Sequence, residues 1–183
     1  MFESKSNEIM LYYLYMMADG EVSYSEEKIF DTICKELGID NDERDSVIKK
    51  CNELVDSTAN VFDIIIEEKI DEQIGQGWFG LRDASSLARI VWNLVNLGFA
   101  DSFFSDEEKK IVNYLNDKWS INPEVYREFV DTANTMLALT NKRKWIISAF
   151  SKSSIRDRRE KDVDVEMMQL LDDVKLTIEE LTM

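Results

Sequence analysis

Two carboxylate pairs set the chemistry this chain can attempt. Asp19 stands seven residues before Glu26, and Asp101 stands seven residues before Glu108, each pair spanning a turn that opens into a helix. Oxygen donors alone favour hard divalent cations, calcium or magnesium, over zinc or copper. Glu21 adds a further carboxylate to the first turn. A cation could sit at these turns, with Asp19, Glu21, Glu26, Asp101 and Glu108 as the candidate ligands and a divalent ion as the one cofactor they suggest.

The two pairs are copies of one segment. Residues 18–30 read ADGEVSYSEEKIF and residues 100–112 read ADSFFSDEEKKIV, so Ala18, Asp19, Ser23, Glu26, Lys28 and Ile29 recur as Ala100, Asp101, Ser105, Glu108, Lys110 and Ile111 at a constant offset of 82. The run DGEVSYSE matches the second half of a calcium-binding EF-hand loop, but the first half is missing. Tyr15 and Met17 occupy the positions four and two residues before Asp19, where that loop needs oxygen ligands, so an ordinary EF-hand cage is excluded. The same residues also have a purely structural use. Ser23 with Glu26, and Ser105 with Glu108, have the spacing of the reciprocal capping box, in which each cap contributes about 1 kcal/mol. From the residues alone, cation binding and capping both stand.

Composition narrows the chemistry further. Histidine is absent from all 183 residues, which removes imidazole general bases, the triads built on them, and His-bearing zinc or di-iron sites. Cys34 and Cys51 match neither a redox C-x-x-C nor a zinc knuckle and read as buried, inert thiols. An enzyme would have to work with carboxylates and metal. The acidic face of Glu67, Glu68, Asp71 and Glu72, followed by Asp83 and Asp101, is its best foothold, because Glu68 and Asp71 have the Glu-x-x-Asp spacing of magnesium-dependent all-α nucleotide pyrophosphohydrolases. That activity is the alternative to a non-enzymatic role. A net charge of −15 disfavours nucleic acid and anionic membranes across the surface as a whole and suits cations or basic partners. No apolar run reaches the length of about 18 residues needed for a transmembrane segment, and the N-terminal run lacks a signal-peptide cleavage site. The expected location is cytoplasmic.

The elements that must position these residues are helices. One proline, six glycines and apolar residues at helical spacing predict an all-α chain. A first helix over about residues 4–17 presents Ile9, Met10, Tyr13 and Met17 on one face and closes at Gly20. Ser23 opens the second, which Gly38 closes; a third begins near Asp40 or Asn41. A fourth is expected to run unbroken over about residues 58–74, before the turn GQGWFG at 75–80, which lacks the strand and Gly-Lys-Ser/Thr of a phosphate loop. Asp83 or Ser85 caps the fifth, Ser105 the sixth, and Asn122 with Pro123 the seventh. The repeat thus defines a domain over residues 1–140, with halves at about 5–58 and 87–140. Residues 142–161 then carry eight cations against two anions, a local charge of +6 that leaves −21 on the rest of the chain. Residues 141–183 read as a basic, serine-rich linker and a C-terminal amphipathic helix, where Met167, Leu171, Val174, Ile178 and Leu181 keep heptad spacing. That stripe either docks on its own domain or meets a partner, including a second copy as a homodimer.

A helix ending in Ala-Asp-Gly, followed by Glu-Val-Ser-x-x-Glu opening the next, within an acidic all-helical chain of two such halves, resembles the TerB-like (tellurite-resistance) superfamily. That group includes the N-terminal domain of a membrane-anchored J-domain cochaperone. The likeness covers about residues 5–140. It implies a compact bundle of about seven helices, serving as a metal-sensing or scaffolding module in a stress or envelope-associated system, with an unidentified protein partner and Asp19, Glu26, Asp101 and Glu108 as metal ligands. In the second copy Ser102 and Phe103 replace Gly20 and Glu21, which makes the first turn the better candidate.

Overall fold

The computed structural model describes residues 2–57, 60–76, 83–100 and 104–181. Nine helices and no strand occur among them: α1 (Phe2–Met16), α2 (Tyr24–Leu37), α3 (Asn41–Ser57), α4 (Val61–Glu67), α5 (Ile70–Gln76), α6 (Ala84–Gly98), α7 (Asp106–Lys118), α8 (Pro123–Ala149) and α9 (Ser154–Glu180). The sequence offset is also a structural one. α6, α7 and α8 begin at Ala84, Asp106 and Pro123, each 82 residues after the starts of α1, α2 and α3 at Phe2, Tyr24 and Asn41.

The local signals behind these boundaries are capping interactions. Ser23 and Ser105 each form a complete capping box, Asp83 accepts from the Ser86 N–H, and Asn122 precedes Pro123 at the start of α8. Gly38 ends α2 with φ 70°, and the corresponding position after α7, Ser120, takes the same left-handed conformation with φ 53°. Gly20 closes the turn after α1 with φ 96°.

α1 runs through the centre. Ile9, Leu11, Tyr12, Leu14 and Tyr15 are wholly buried, while Tyr13 and Met17, which the periodicity places on its core face, are only half-buried. A helix apolar on nearly every side must be surrounded, and α2, α3, α5 and α6 all pack against it. Phe30, Ile33, Val91, Leu94, Val112, Leu115 and Phe129 complete the core around it. Both cysteines are buried and free; burial pushes the Cys34 thiol up to about 11 and Cys51 to about 12, as expected of inert thiols.

Three expectations are corrected. The helix expected over 58–74 is two helices, broken at Lys69, whose φ is 53°. At about 100° per residue, an unbroken helix would place Ile70 and Ile74 roughly 140° and 180° around the axis from Ile65. All three are buried, so the chain must turn between them. Residues 151–161, which composition reads as linker, are helical from Ser154 onward, and α8 continues to Ala149, so α8 and α9 form a long helical hairpin. The turn expected at residues 75–80 begins later, since Gly75 and Gln76 still belong to α5; its residues 77–80 lie outside the described residues.

The heptad stripe of α9 is directed inward. Leu171, Val174, Ile178 and Leu181 pack against the main core, and Met167 packs with Leu139, Ile146 and Val163 in a smaller cluster between α8 and α9.

The paired left-handed positions give a stability test. Ser120 carries a side chain in a conformation that costs about 1 kcal/mol outside glycine, so Ser120→Gly is expected to raise the free energy of unfolding by about that amount. Gly38→Ala is expected to lower it by about 1 kcal/mol. Urea denaturation of the two variants measures both; equal and null effects would contradict the assignment of these turns.

Candidate functional site

The two capping boxes are brought together. In α2 the Ser23 N–H donates to Glu26 Oε2 (2.7 Å) and the Glu26 N–H to Ser23 Oγ (3.2 Å); in α7 the Ser105 N–H donates to Glu108 Oε2 (2.7 Å) and the Glu108 N–H to Ser105 Oγ (3.1 Å). Both glutamates are buried, Glu26 at 4% and Glu108 at 3% exposure. Capping engages one oxygen of Glu108, and a carboxylate has two, with about four lone-pair sites.

Electrostatics records how close the elements lie. A helix N-terminus and a backbone N–H both favour an ionised carboxylate. At Glu108 they lose. Burial raises its pKa first, the Ser105 backbone and hydroxyl lower it, and Glu26 and then Asp19 raise it again, for a net value of about 7 against an ordinary 4.5. Asp83 shows the opposite balance. It is an exposed cap, held down to about 2 by the Ser85 hydroxyl and by the Ser86 backbone and hydroxyl.

Tyr15 of α1 closes the inner side of this acidic cluster. Burial raises its phenol well above the usual value, and Glu108, Tyr126 and Glu26 push the same way. The hydroxyl lies beside Glu108, yet among the described residues no partner meets it at hydrogen-bonding geometry. Gly98, the last residue of α6, makes room for it. A Cβ at Gly98 would stand 2.5 Å from the Tyr15 hydroxyl and 2.7 Å from Phe104 Cδ2. In the sequence Tyr15 stands where an EF-hand loop needs an oxygen ligand; its place beside the glutamates depends on packing that local sequence does not reveal.

The remaining site residues separate. Asp19 is exposed in the first turn, where its Oδ1 accepts the Glu21 N–H at 3.2 Å, and it still acts on Glu108. Glu21 is exposed and is not among the main influences on Glu108. Asp101 lies outside the described residues. Among the described residues, no group of three or more Asp, Glu or Cys side chains is close enough to hold a metal ion. An oxygen cage here therefore needs a donor from the second turn, where Asp101 stands, or from solvent. The donors at hand are buried carboxylates from two helix starts, with the Tyr15 hydroxyl beside Glu108.

A cleft of about 310 Å³ lies between the first turn and the starts of α4 and α7, lined by Ala18, Asn60, Phe62, Asp106, Glu107 and Lys110 among others. A larger groove of about 640 Å³, between α2, α6 and α9, holds Lys28, Arg89 and Lys175 and does not border the glutamate pair.

The pyrophosphohydrolase spacing does not survive folding. Glu68 is exposed at the end of α4, and Asp71 is buried in α5 beyond the break at Lys69. Asp71 is also committed: its Oδ2 accepts from the Tyr114 hydroxyl at 2.6 Å and from Lys118. The pair shares no helical face on which to hold a magnesium ion.

A family model described as Tellurite resistance protein TerB matches residues 6–131, a span that takes in both acidic turns and stops within α8. No curated protein matches the chain, and no solved structure does.

Two variants probe this site. Below about pH 4.5 Glu108 is protonated in both folded and unfolded chains. Between there and about 7 the unfolded chain gives up a proton that the folded chain keeps, so Glu108 costs stability progressively as pH rises, by about 3 kcal/mol in all, and the cost is constant above pH 7. Glu108→Gln keeps a capping side chain and is expected to remove that decline when both proteins are unfolded in urea with chelator present; parallel pH profiles would refute the raised pKa. Gly98→Ala is expected to cost about 1–3 kcal/mol in the same assay, because neither the buried phenol nor Phe104 can yield freely.

Proposed function

Because the chain belongs to the TerB family, we propose that it is a non-enzymatic interaction module in which two helix starts share a divalent cation, calcium or magnesium, in a stress-response or envelope-associated setting. Glu26 and Glu108 are the central ligands of this reading. Asp19 and, from the second turn, Asp101 add charge, and Glu21 is a further exposed carboxylate of the first turn. The observation that carries the proposal is Glu108 itself: a carboxylate only 3% exposed at a helix start, which burial first and then the charges of Glu26 and Asp19 raise to about 7.

A cation would replace the proton there. Near neutral pH the buried Glu108 is divided between acid and carboxylate, so ion binding would release protons and tighten as pH rises through 7. Binding would tie the α1–α2 turn to the start of α7 and make the seating of the two halves sensitive to the ion. The charge of −21 outside residues 142–161 suits a basic protein partner.

Calorimetric titration of calcium and of magnesium into the wild type and into Glu26→Gln with Glu108→Gln tests this reading. Glutamine preserves the caps, so the double variant should stay folded and lose affinity at least tenfold, about 1.4 kcal/mol. The wild-type heat near pH 6.5 should change with the ionisation enthalpy of the buffer, reporting proton release. Indistinguishable traces for the two proteins would sink the assignment.

A further inference from the structure

The α8–α9 hairpin carries a surface that the acidic site does not use. Met136 is the last residue of α8 packed against the main core, and Leu171 is the first of α9 to rejoin it. Between them, among the described residues, the two helices pack on each other through Leu139, Ile146 and Val163. The 13 residues of α8 beyond Met136, to Ala149, extend about 20 Å at 1.5 Å each. The hairpin tip is thus carried away from the body as an arm, and the family match at residues 6–131 does not reach it.

The tip is cationic and apolar at once. Residues 142–161 carry +6 on a chain of −15, and the whole stretch from Met136 to Leu171, with Asp162, Asp164 and Glu166, carries +3. Some of those cations have partners: Lys142 pairs with Glu166, Arg143 with Asp164 and Arg156 with Glu160. Lys144, Lys152, Arg158 and Lys161 are exposed and make no ion pair among the described residues. In the same stretch Trp145 is 56%, Ile147 43% and Ile155 61% exposed, with Trp145 and Ile147 on either flank of the buried Ile146. The Trp145 ring meets Phe150 edge-on at 5.8 Å, and Phe150 carries the Arg159 guanidinium at 4.6 Å, so both helices contribute to one aromatic-cationic patch.

We propose that this tip docks on an anionic lipid surface. Phosphate alone, as in nucleic acid, would be served by the cations and the aromatic rings; exposed Ile147 and Ile155 gain only where an apolar layer lies beneath the charge. Trp and Lys or Arg together suit the headgroup level of a bilayer. The arm also answers the repulsion between such a surface and a body of −21. At physiological salt the screening length is about 8 Å, so a reach of about 20 Å attenuates that repulsion strongly. No described helix is long and apolar enough to cross a membrane, so the attachment is peripheral.

Co-sedimentation with vesicles of phosphatidylcholine, with and without phosphatidylglycerol, tests the proposal. Chelator in all samples separates it from the cation reading. The wild type should bind only the phosphatidylglycerol vesicles, and more weakly as salt rises. At about fivefold per cation, Lys144→Gln, Lys152→Gln and Arg158→Gln together should weaken binding about a hundredfold, whereas Lys49→Gln with Lys50→Gln on the body should change nothing. Trp145→Ser with Ile155→Ser keeps the charge and should also lose most of the binding. All these side chains are exposed, so circular dichroism should show unchanged helix content. Absence of vesicle binding at low salt would overturn the proposal. So would full binding by the Trp145 and Ile155 variant, or tighter binding to a single-stranded RNA than to the anionic vesicles.

Discussion

The structure depends on enclosing α1. From Ile9 to Met16 this helix is buried almost all round, so the rest of the chain has to form a sheath about it. Its polar side chains then need partners inside. Glu8, wholly buried, receives the Arg89 guanidinium at 2.8 Å and the Tyr12 hydroxyl at 3.0 Å, and Asn93 donates to that hydroxyl at 3.0 Å. Arg89 and Asn93 both come from α6. A buried carboxylate stripped of its partner is strongly destabilising, so this network fixes α6 against α1 and thereby the second half of the molecule against the first. Tyr15, one turn past Tyr12, carries the same helix to the two glutamates.

Whether those glutamates are only caps is a question of magnitude. A cap contributes about 1 kcal/mol and works on an exposed helix end, as Asp83 shows with a pKa drawn down to about 2. For Glu108 the gap between 4.5 and about 7 corresponds to about 3 kcal/mol against the ionised form. Capping does not offset that at neutral pH, and it does not require burial. At neutral pH the folded chain therefore keeps part of the Glu108 population protonated, and the proton offsets the cost of burying the charge.

Local signals were legible in the sequence wherever the physics is local. The offset of 82, the serine and aspartate caps and the glycine at position 38 all describe contacts within a few residues, and the helices start where those signals stand. Reading failed where tertiary contacts decide. α1 lacks the one-sided stripe that periodicity seeks, because it is covered on every side. The break at Lys69 has no glycine or proline to mark it; it follows from the need to bury Ile65, Ile70 and Ile74 together. The serine-rich stretch before α9 reads as linker because its charges look solvated, but α8 supplies the apolar partners that keep it helical. The capping boxes were visible one by one. Their convergence was not, since it rests on how two helix pairs 82 residues apart cross.

The repeat is closest to symmetric at its caps and least so at its centre. Glu26 corresponds to Glu108 and Ser23 to Ser105, but Tyr15 corresponds to Leu97 and Met16 to Gly98. The break in symmetry has a steric cause. Even a methyl group at Gly98 would come within 2.5 Å of the Tyr15 hydroxyl, so the space between the halves admits one phenol and no side chain opposite it. One copy therefore brings the hydroxyl and the other the cavity that receives it, while both bring a carboxylate. The acidic cluster is a property of the pair, and neither helix-turn-helix contains it alone.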